Sequence, residues 1–248
     1  TRRPFLHRVL EGIDAAREAG LSPIKINAVL QPGANEHEAA ELLAWCLERG
    51  LELRFIEYMP LDGAGRWNRE RMVTASDVWQ LLSPYYVMHP VREARGGAPA
   101  EKFEVWPRPG APAPGAPGTI AGALKERGVA PADTDAVRQV LPPAPGEPFV
   151  ETCERPREEA LGTVGIIASV TRPFCAACTR TRLTAEGRVR TCLFSHSETD
   201  LLGLMRSGAS DEDIAERWRA AQWGKQAGHG MDRSDFVQPE RPMSAIGG

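Results

Sequence analysis

The sequence predicts an α/β fold: a parallel sheet or barrel followed by a C-terminal unit organised around cysteines. Residues 1–90 alternate helix and strand patterns with short connections. A stretch rich in Pro, Gly and Ala then interrupts the order, and three cysteines gather after it at Cys175, Cys178 and Cys192. The chain has 248 residues, 42% hydrophobic and 25% charged, which is globular composition. That length suits one large domain or two modest ones. With 30 Lys+Arg against 33 Asp+Glu the net charge is −3. No basic excess exists for a general nucleic-acid or membrane-surface role, and neither partner is expected. No apolar run approaches the roughly 20 residues of a spanning helix, and no signal peptide pattern opens the sequence.

Each element has its own warrant. Leu6, Val9, Leu10, Ile13 and Ala16 recur at helical spacing and predict a helix over 5–19, stopped by Gly20. Residues 24–30 read as a strand with Ile24, Ile26, Ala28 and Leu30 on one face and Lys25 and Asn27 on the other. Ala39, Leu42, Leu43, Cys46 and Leu47 predict a second helix over 36–49, closed by Gly50. Leu51 to Met59 reads as the next strand, broken by Pro60 and Gly63. Lys25, Asn27 and Arg54 are polar positions in apolar strands. They fit either an edge strand with a wet face or a barrel interior lined for a polar ligand, and such ligands gather at the C-terminal strand ends. Residues 76–83 predict a short helix capped by Ser76 or Asp77. The Pro/Gly-rich composition of 96–148 reads as loop or linker, with one short helix near 119–127. A strand over 163–170 and helices over 199–206 and 211–222 follow, the last with a Ser210/Asp213 capping box. Three segments result: 1–90, an insertion or linker over 91–160, and 161–248.

Five cysteines, Cys46, Cys153, Cys175, Cys178 and Cys192, are too few for a disulfide scaffold and suit a reducing cytoplasm. The two-residue gap in Cys175-Ala-Ala-Cys178 lets two thiolates reach one centre from a single turn. Cys192 returns from the far side of a reversal at Thr184-Ala-Glu-Gly187. Spacing alone leaves zinc, an iron–sulfur cluster, or plain buried thiols open. Zinc needs a fourth ligand, for which His196 is the candidate, while three thiolates on a four-iron cluster leave one iron open. Arg180 and Arg182 alternate beside the cysteines, and arginine forks bind phosphate bidentately. For Arg188 and Arg190 a solvated basic hairpin is the simpler reading. Cys46 reads as core, Cys153 as a free surface thiol, and His229, between two glycines, as a turn residue. Trp218 and Trp223 read as core.

The run Ser169-Val-Thr-Arg-Pro-Phe-Cys-Ala-Ala-Cys-Thr-Arg-Thr-Arg-Leu-Thr-Ala-Glu-Gly-Arg-Val-Arg-Thr-Cys-Leu-Phe-Ser195 resembles the second-cluster motif of the GTP 3′,8-cyclase family, radical S-adenosylmethionine enzymes of molybdenum cofactor biosynthesis. Lys25-Ile-Asn-Ala-Val-Leu30, Arg54-Phe-Ile-Glu-Tyr-Met-Pro60 with Gly65-Arg-Trp67, Gly228-His-Gly230 and Met243-Ser-Ala-Ile-Gly-Gly248 agree with it. The similarity covers most of 1–90 and 162–248.

The resemblance implies the C-terminal portion of an incomplete TIM-type barrel plus a C-terminal iron–sulfur cluster domain. It implies that Cys175, Cys178 and Cys192 hold a second 4Fe–4S cluster with one iron free for GTP. Arg180, Thr181, Arg182 and Lys25 match GTP-binding positions. Met59 matches a methionine beside S-adenosylmethionine, and Arg54 an arginine of the same pocket. Gly247 and Gly248 match a double-glycine tail that enters the pocket; backbone without a Cβ can approach a ligand closely. The implied reaction starts from a 5′-deoxyadenosyl radical, abstracts hydrogen from C3′ of GTP and closes a bond to C8. The product feeds cyclic pyranopterin monophosphate synthase as pathway partner, in the cytoplasm, from a monomer or homodimer. No side chain of this chain is singled out as catalytic, because the cofactors carry the chemistry.

Two departures qualify the match. The Cys-x3-Cys-x2-Cys motif of the radical-generating first cluster is absent from these residues. Together with the opening Thr1, this leads to the expectation of an N-terminally truncated chain, inactive alone, whose first cluster exists only in a full-length protein. Residues 96–160 are longer than the family's usual connection and do not match it. Two other readings stand beside the cyclase: a non-catalytic zinc module with three cysteines and His196, and a degenerate homologue that keeps only nucleotide binding.

Overall fold

A computed structural model describes residues 5–61, 65, 67–69, 72–93, 95–114, 157–231 and 233–246. The chain forms two compact units. The first comprises the described residues within 1–57, 73–95 and 100–167, the second those within 58–72, 96–99 and 168–248.

The first unit is a five-stranded sheet with helices. Its elements are α1 (Leu6–Glu18), β1 (Lys25–Val29), α2 (Ala39–Glu48), β2 (Glu52–Ile56), α3 (Ala75–Leu82), β3 (Tyr86–Pro90), β4 (Glu101–Pro107) and β5 (Gly162–Ile167). The strand order is β1-β2-β5-β4-β3. β1, β2 and β5 run parallel, whereas β4 is antiparallel to β5 and β3 to β4. The parallel sheet expected from the helix–strand alternation is therefore correct for three strands and not for the β3–β4 pair. Among the described residues no helix lies between β3 and β4, and a short link without a crossover joins neighbours antiparallel.

β4 also corrects the reading of 96–148 as loop. Phe103 and Val105 alternate with Lys102 and Glu104 over only a few residues, and the flanking Pro and Gly dominate the composition. The helix expected near 119–127, and Cys153, lie outside the described residues.

One sheet face is the core. Leu53 and Phe55 of β2, Val164 and Ile166 of β5 and Phe103 and Val105 of β4 are buried. α2 and α3 contact this sheet, with Leu43, Cys46, Val78 and Leu82 buried. Cys46 is fully buried, as its apolar-face position predicts. The other face carries a polar row: the register sets Lys25 beside Glu52, and Asn27, Arg54, Gly165 and Lys102 side by side. α3 is capped not by Ser76 or Asp77 but by Thr74. Its hydroxyl accepts the Asp77 N–H at 3.2 Å, and the Asp77 carboxylate accepts the Thr74 N–H at 2.8 Å. The buried Glu57 accepts the Ala75 N–H at 2.9 Å and satisfies another first-turn donor.

The second unit holds a three-stranded antiparallel sheet of β6 (Arg182–Leu183), β7 (Arg188–Arg190) and β8 (Thr199–Asp200), then α4 (Leu202–Arg206) and α5 (Asp211–Trp223). The helix expected over 199–206 begins only at Leu202, because Thr199 and Asp200 pair with β7. The Ser210/Asp213 capping box forms as expected. Leu61, Met72, Val170, Phe194 and Met231 make this unit's apolar cluster. Trp218 is 37% and Trp223 94% exposed, so the core reading fails for both: α5 buries no residue. Among the described residues no helix is long and apolar enough to cross a membrane.

Candidate functional site

The cysteine segment folds as its spacing requires. Cys175–Ala177 form a 3-10 turn in which the Cys178 N–H donates to the Cys175 carbonyl at 3.1 Å. Cys178 leaves the turn extended, and the chain runs into β6 through Arg180 and Arg182. Gly187, at φ +70°, lets the Thr184–Gly187 turn close, and β7 returns toward Cys192. Cys175, Cys178, Cys192, Arg180, Arg182 and Met59 all line one cavity.

Arg190 fixes the third cysteine's loop. It is buried, which corrects the solvated reading. Its guanidinium donates to the carbonyls of Cys192 at 3.1 Å and Leu193 at 3.0 Å, to that of Ser195, and to Glu198 at 2.9 Å. Arg188 is exposed, as a solvated hairpin residue should be.

The cysteines are free thiols in a cationic setting. Burial pushes the Cys175 thiol up, and the backbone N–H of His229 offsets this only in part. Burial also acts on Cys178. There the Arg180 backbone N–H, the Arg180 guanidinium and the Lys225 ammonium outweigh it, and the thiol falls below its usual 9.0. The Lys225 Nζ lies 3.5 Å from the Cys178 Sγ. Burial, and then the Arg180 charge, lower the Arg182 guanidinium. Arg180 stacks over Phe174 at 4.5 Å, and its Nη2 is buried without a hydrogen-bond partner among the described residues. Two guanidiniums side by side, one with an unmet donor, call for an anion.

Three free thiols, of which Cys175 and Cys178 receive N–H donors, beside unmet cationic charge suit a thiolate-ligated, anionic group. Among the described residues no three His, Cys, Asp or Glu side chains are placed to hold a single metal ion. A single zinc gathers its sulfurs around one point at about 2.3 Å, whereas a four-iron cluster takes each thiolate on a separate iron. His196 does not complete a zinc site: its Nε2 lies 3.0 Å from the Val237 carbonyl, and it lines a different cavity with Arg188, Glu198 and Arg241.

The histidine in the cysteine cavity is His229. Its ring is buried and its Nδ1 accepts the Met231 N–H at 2.9 Å, so it is a cavity residue rather than the plain turn residue expected. Lys225 is the residue sequence reasoning missed. A lysine just past a helix end reads as a helix-dipole partner, and only the fold shows it reaching back to Cys178. Thr181 is held by Gln222, whose Nε2 donates to its Oγ1 at 2.5 Å.

Lys25 and Arg54 belong to the sheet unit. Lys25 is exposed on β1. The Arg54 Nε and Nη2 both lie 2.6 Å from the Glu52 Oε1, and the Lys102 Nζ lies 2.9 Å from Oε2. Gly165 leaves room for that arginine: a Cβ there would sit 3.0 Å from the Arg54 Cγ. Gly247 and Gly248 lie outside the described residues.

Comparison with known proteins gives matches along the whole chain. The family profile described as Molybdenum Cofactor Synthesis C matches residues 155–231, the stretch with all three cavity cysteines. A GTP 3′,8-cyclase of Paenarthrobacter nicotinovorans is 51% identical over 253 residues, covering 100% of this chain. Over its whole length the chain is similar to proteins named GTP 3′,8-cyclase. A GTP 3′,8-cyclase of Streptomyces coelicolor is 47% identical and GTP 3′,8-cyclase 2 of Mycobacterium tuberculosis 42% identical, each again over 100% of this chain. The chain spans 60%, 58% and 56% of the lengths of these three relatives.

Proposed function

We propose that the chain carries the nucleotide-binding, second-cluster portion of a radical S-adenosylmethionine GTP 3′,8-cyclase. That lyase converts GTP to (8S)-3′,8-cyclo-7,8-dihydroguanosine 5′-triphosphate in molybdenum cofactor biosynthesis. The carrying observation is the convergence of Cys175, Cys178 and Cys192 with Arg180 and Arg182 on one cavity. Cys175, Cys178 and Cys192 would hold a 4Fe–4S cluster, which when bound supplies an iron open to a donor atom of the substrate.

The chain's own residues bind and orient. Arg180, through its unmet Nη2, and Arg182 supply fixed positive charge for the triphosphate. Charge held in place before the ligand arrives costs no reorganisation later. Thr181 is kept in register by Gln222. Met59 supplies an apolar wall for S-adenosylmethionine. Lys25 and Arg54, on the polar sheet face, are further nucleotide and S-adenosylmethionine contacts, and Gly247 and Gly248 form the tail. The first-cluster cysteine motif is not among these 248 residues, so cleavage of S-adenosylmethionine is not assigned to them. The product passes to cyclic pyranopterin monophosphate synthase. The zinc reading is not favoured, because His196 lines another cavity.

The test is GTP binding to the iron-reconstituted chain, read by calorimetry. Each charge-assisted contact contributes about 1.5–3 kcal/mol, so Arg180→Ala and Arg182→Ala should each weaken GTP roughly ten- to hundredfold. Unchanged affinity in both variants would refute the assignment.

A further inference from the structure

Lys225 follows α5 by two residues, the position of an ordinary C-terminal cation. Its ammonium does not turn back to the helix carbonyls. The Nζ lies 2.6 Å from the Arg180 carbonyl oxygen and 3.5 Å from the Cys178 Sγ, and the side chain lines the cysteine cavity. Three residues earlier Gln222 grips Thr181. The end of α5 thus holds Cys178, Arg180 and Thr181 together, although the helix buries no residue of its own. The 3-10 turn fixes only the entry to this segment, since Cys178 already has extended backbone. Lys225 supplies the restraint on the exit side.

We propose that Lys225 is a positioning residue of the thiolate centre, which fixes Cys178 against the Arg180 carbonyl and raises the reduction potential of an iron–sulfur cluster bound there. This rests on the reading of the cavity as a cluster site. A cluster gains one negative charge on reduction. An N–H donated to a ligating sulfur, with a full positive charge behind it, stabilises the reduced form more than the oxidised form. A thiolate-bound cluster leaves the Cys178 sulfur lone pairs able to accept that bond, and an ammonium has three donors to serve both partners.

The experiment is a potentiometric EPR titration of the reconstituted 248-residue chain and two variants, with iron content and far-ultraviolet circular dichroism recorded for each. Lys225→Met removes the charge and the donors, and Lys225→Arg keeps both. The expected result is a potential lowered in Lys225→Met by about tenfold in the one-electron equilibrium, about 59 mV, with most of it restored in Lys225→Arg. A folded Lys225→Met that no longer holds iron, beside a Lys225→Arg that does, also supports the proposal. If Lys225→Met does not fold, Lys225→Gln takes its place under the same criteria. Wild-type iron content and an unchanged potential without the ammonium would overturn it, as would equal shifts in the arginine and uncharged variants. A wild-type chain that takes up no iron refutes the cluster reading itself, and the inference falls with it.

Discussion

Replacing Arg190 by methionine should destabilise the cysteine-bearing unit by about 4 kcal/mol. Methionine keeps the stem's bulk and none of the donors. The carbonyls of Cys192, Leu193 and Ser195 lose their guanidinium partner together, and Glu198 loses one of two. A buried acceptor left unmet costs about 1–3 kcal/mol. Cys192 and Leu193 are only half-buried, so water relieves part of that and the low end applies. Glu198 keeps Arg241 at 2.8 and 3.0 Å, so its carboxylate is not stranded. The total lies inside the roughly 3–5 kcal/mol seen when one partner of a buried ion pair is removed. For a chain of this size that is a fall in melting temperature on the order of 10 °C. Thermal and urea unfolding followed by circular dichroism read it directly. Arg190→Lys keeps the charge without the fork and should fall between. Iron uptake should drop with stability, because the same loop carries Cys192. A methionine variant melting within about 2 °C of wild type, less than about 1 kcal/mol, would refute the claim that Arg190 holds residues 192–195 in place.

Other expectations are as concrete. Gly187→Ala puts a Cβ 2.5 Å from the Leu202 Cβ at a backbone φ of +70°. The unfolding midpoint should fall by the equivalent of about 1–3 kcal/mol, and an unchanged midpoint would mean the hairpin relaxes freely. For Glu52, burial alone would raise the carboxyl, but hydrogen bonds and charge from Lys102 and Arg54 bring it below its usual 4.5. Its contribution is therefore present above about pH 4.5 and is lost as pH falls through the lowered value. Glu52→Gln should flatten the acid limb of a stability-against-pH curve, and an unaltered limb counts against this. In the metal-free chain at about pH 8, iodoacetamide should reach Cys178 before Cys175 and spare Cys46, whose thiol burial pushes up to about 11 against the opposing Arg49 charge. Peptide mass spectrometry decides it, and native labelling of Cys46 at the Cys178 rate would contradict the burial argument.

What was legible in the sequence was what repeats at short range. The periodicity of 5–19, 24–30, 36–49 and 51–59 gave α1, β1, α2 and β2 nearly in place. The two-residue cysteine gap gave the turn, and Glu186-Gly187 gave the reversal. β4 was hidden because its apolar alternation is brief and its surroundings are Pro and Gly. Arg190 looked like a surface residue, since an arginine in a hairpin carries no mark of the carbonyls that will face it. Lys225 and His229 reach the cavity from far along the chain, and no local pattern encodes such an arrival. His196 shows the converse: four residues from Cys192 is near in sequence, yet its ring faces Val237.

The most direct test of the central claim is anaerobic reconstitution of the chain with iron and sulfide. Iron and sulfide content, the visible spectrum and the reduced-state EPR would be read with and without GTP. About four irons per chain are expected, with a signal that shifts on adding GTP and is lost in Cys192→Ala. A colourless protein that retains a single zinc, or a cluster indifferent to both GTP and Cys192→Ala, would contradict it.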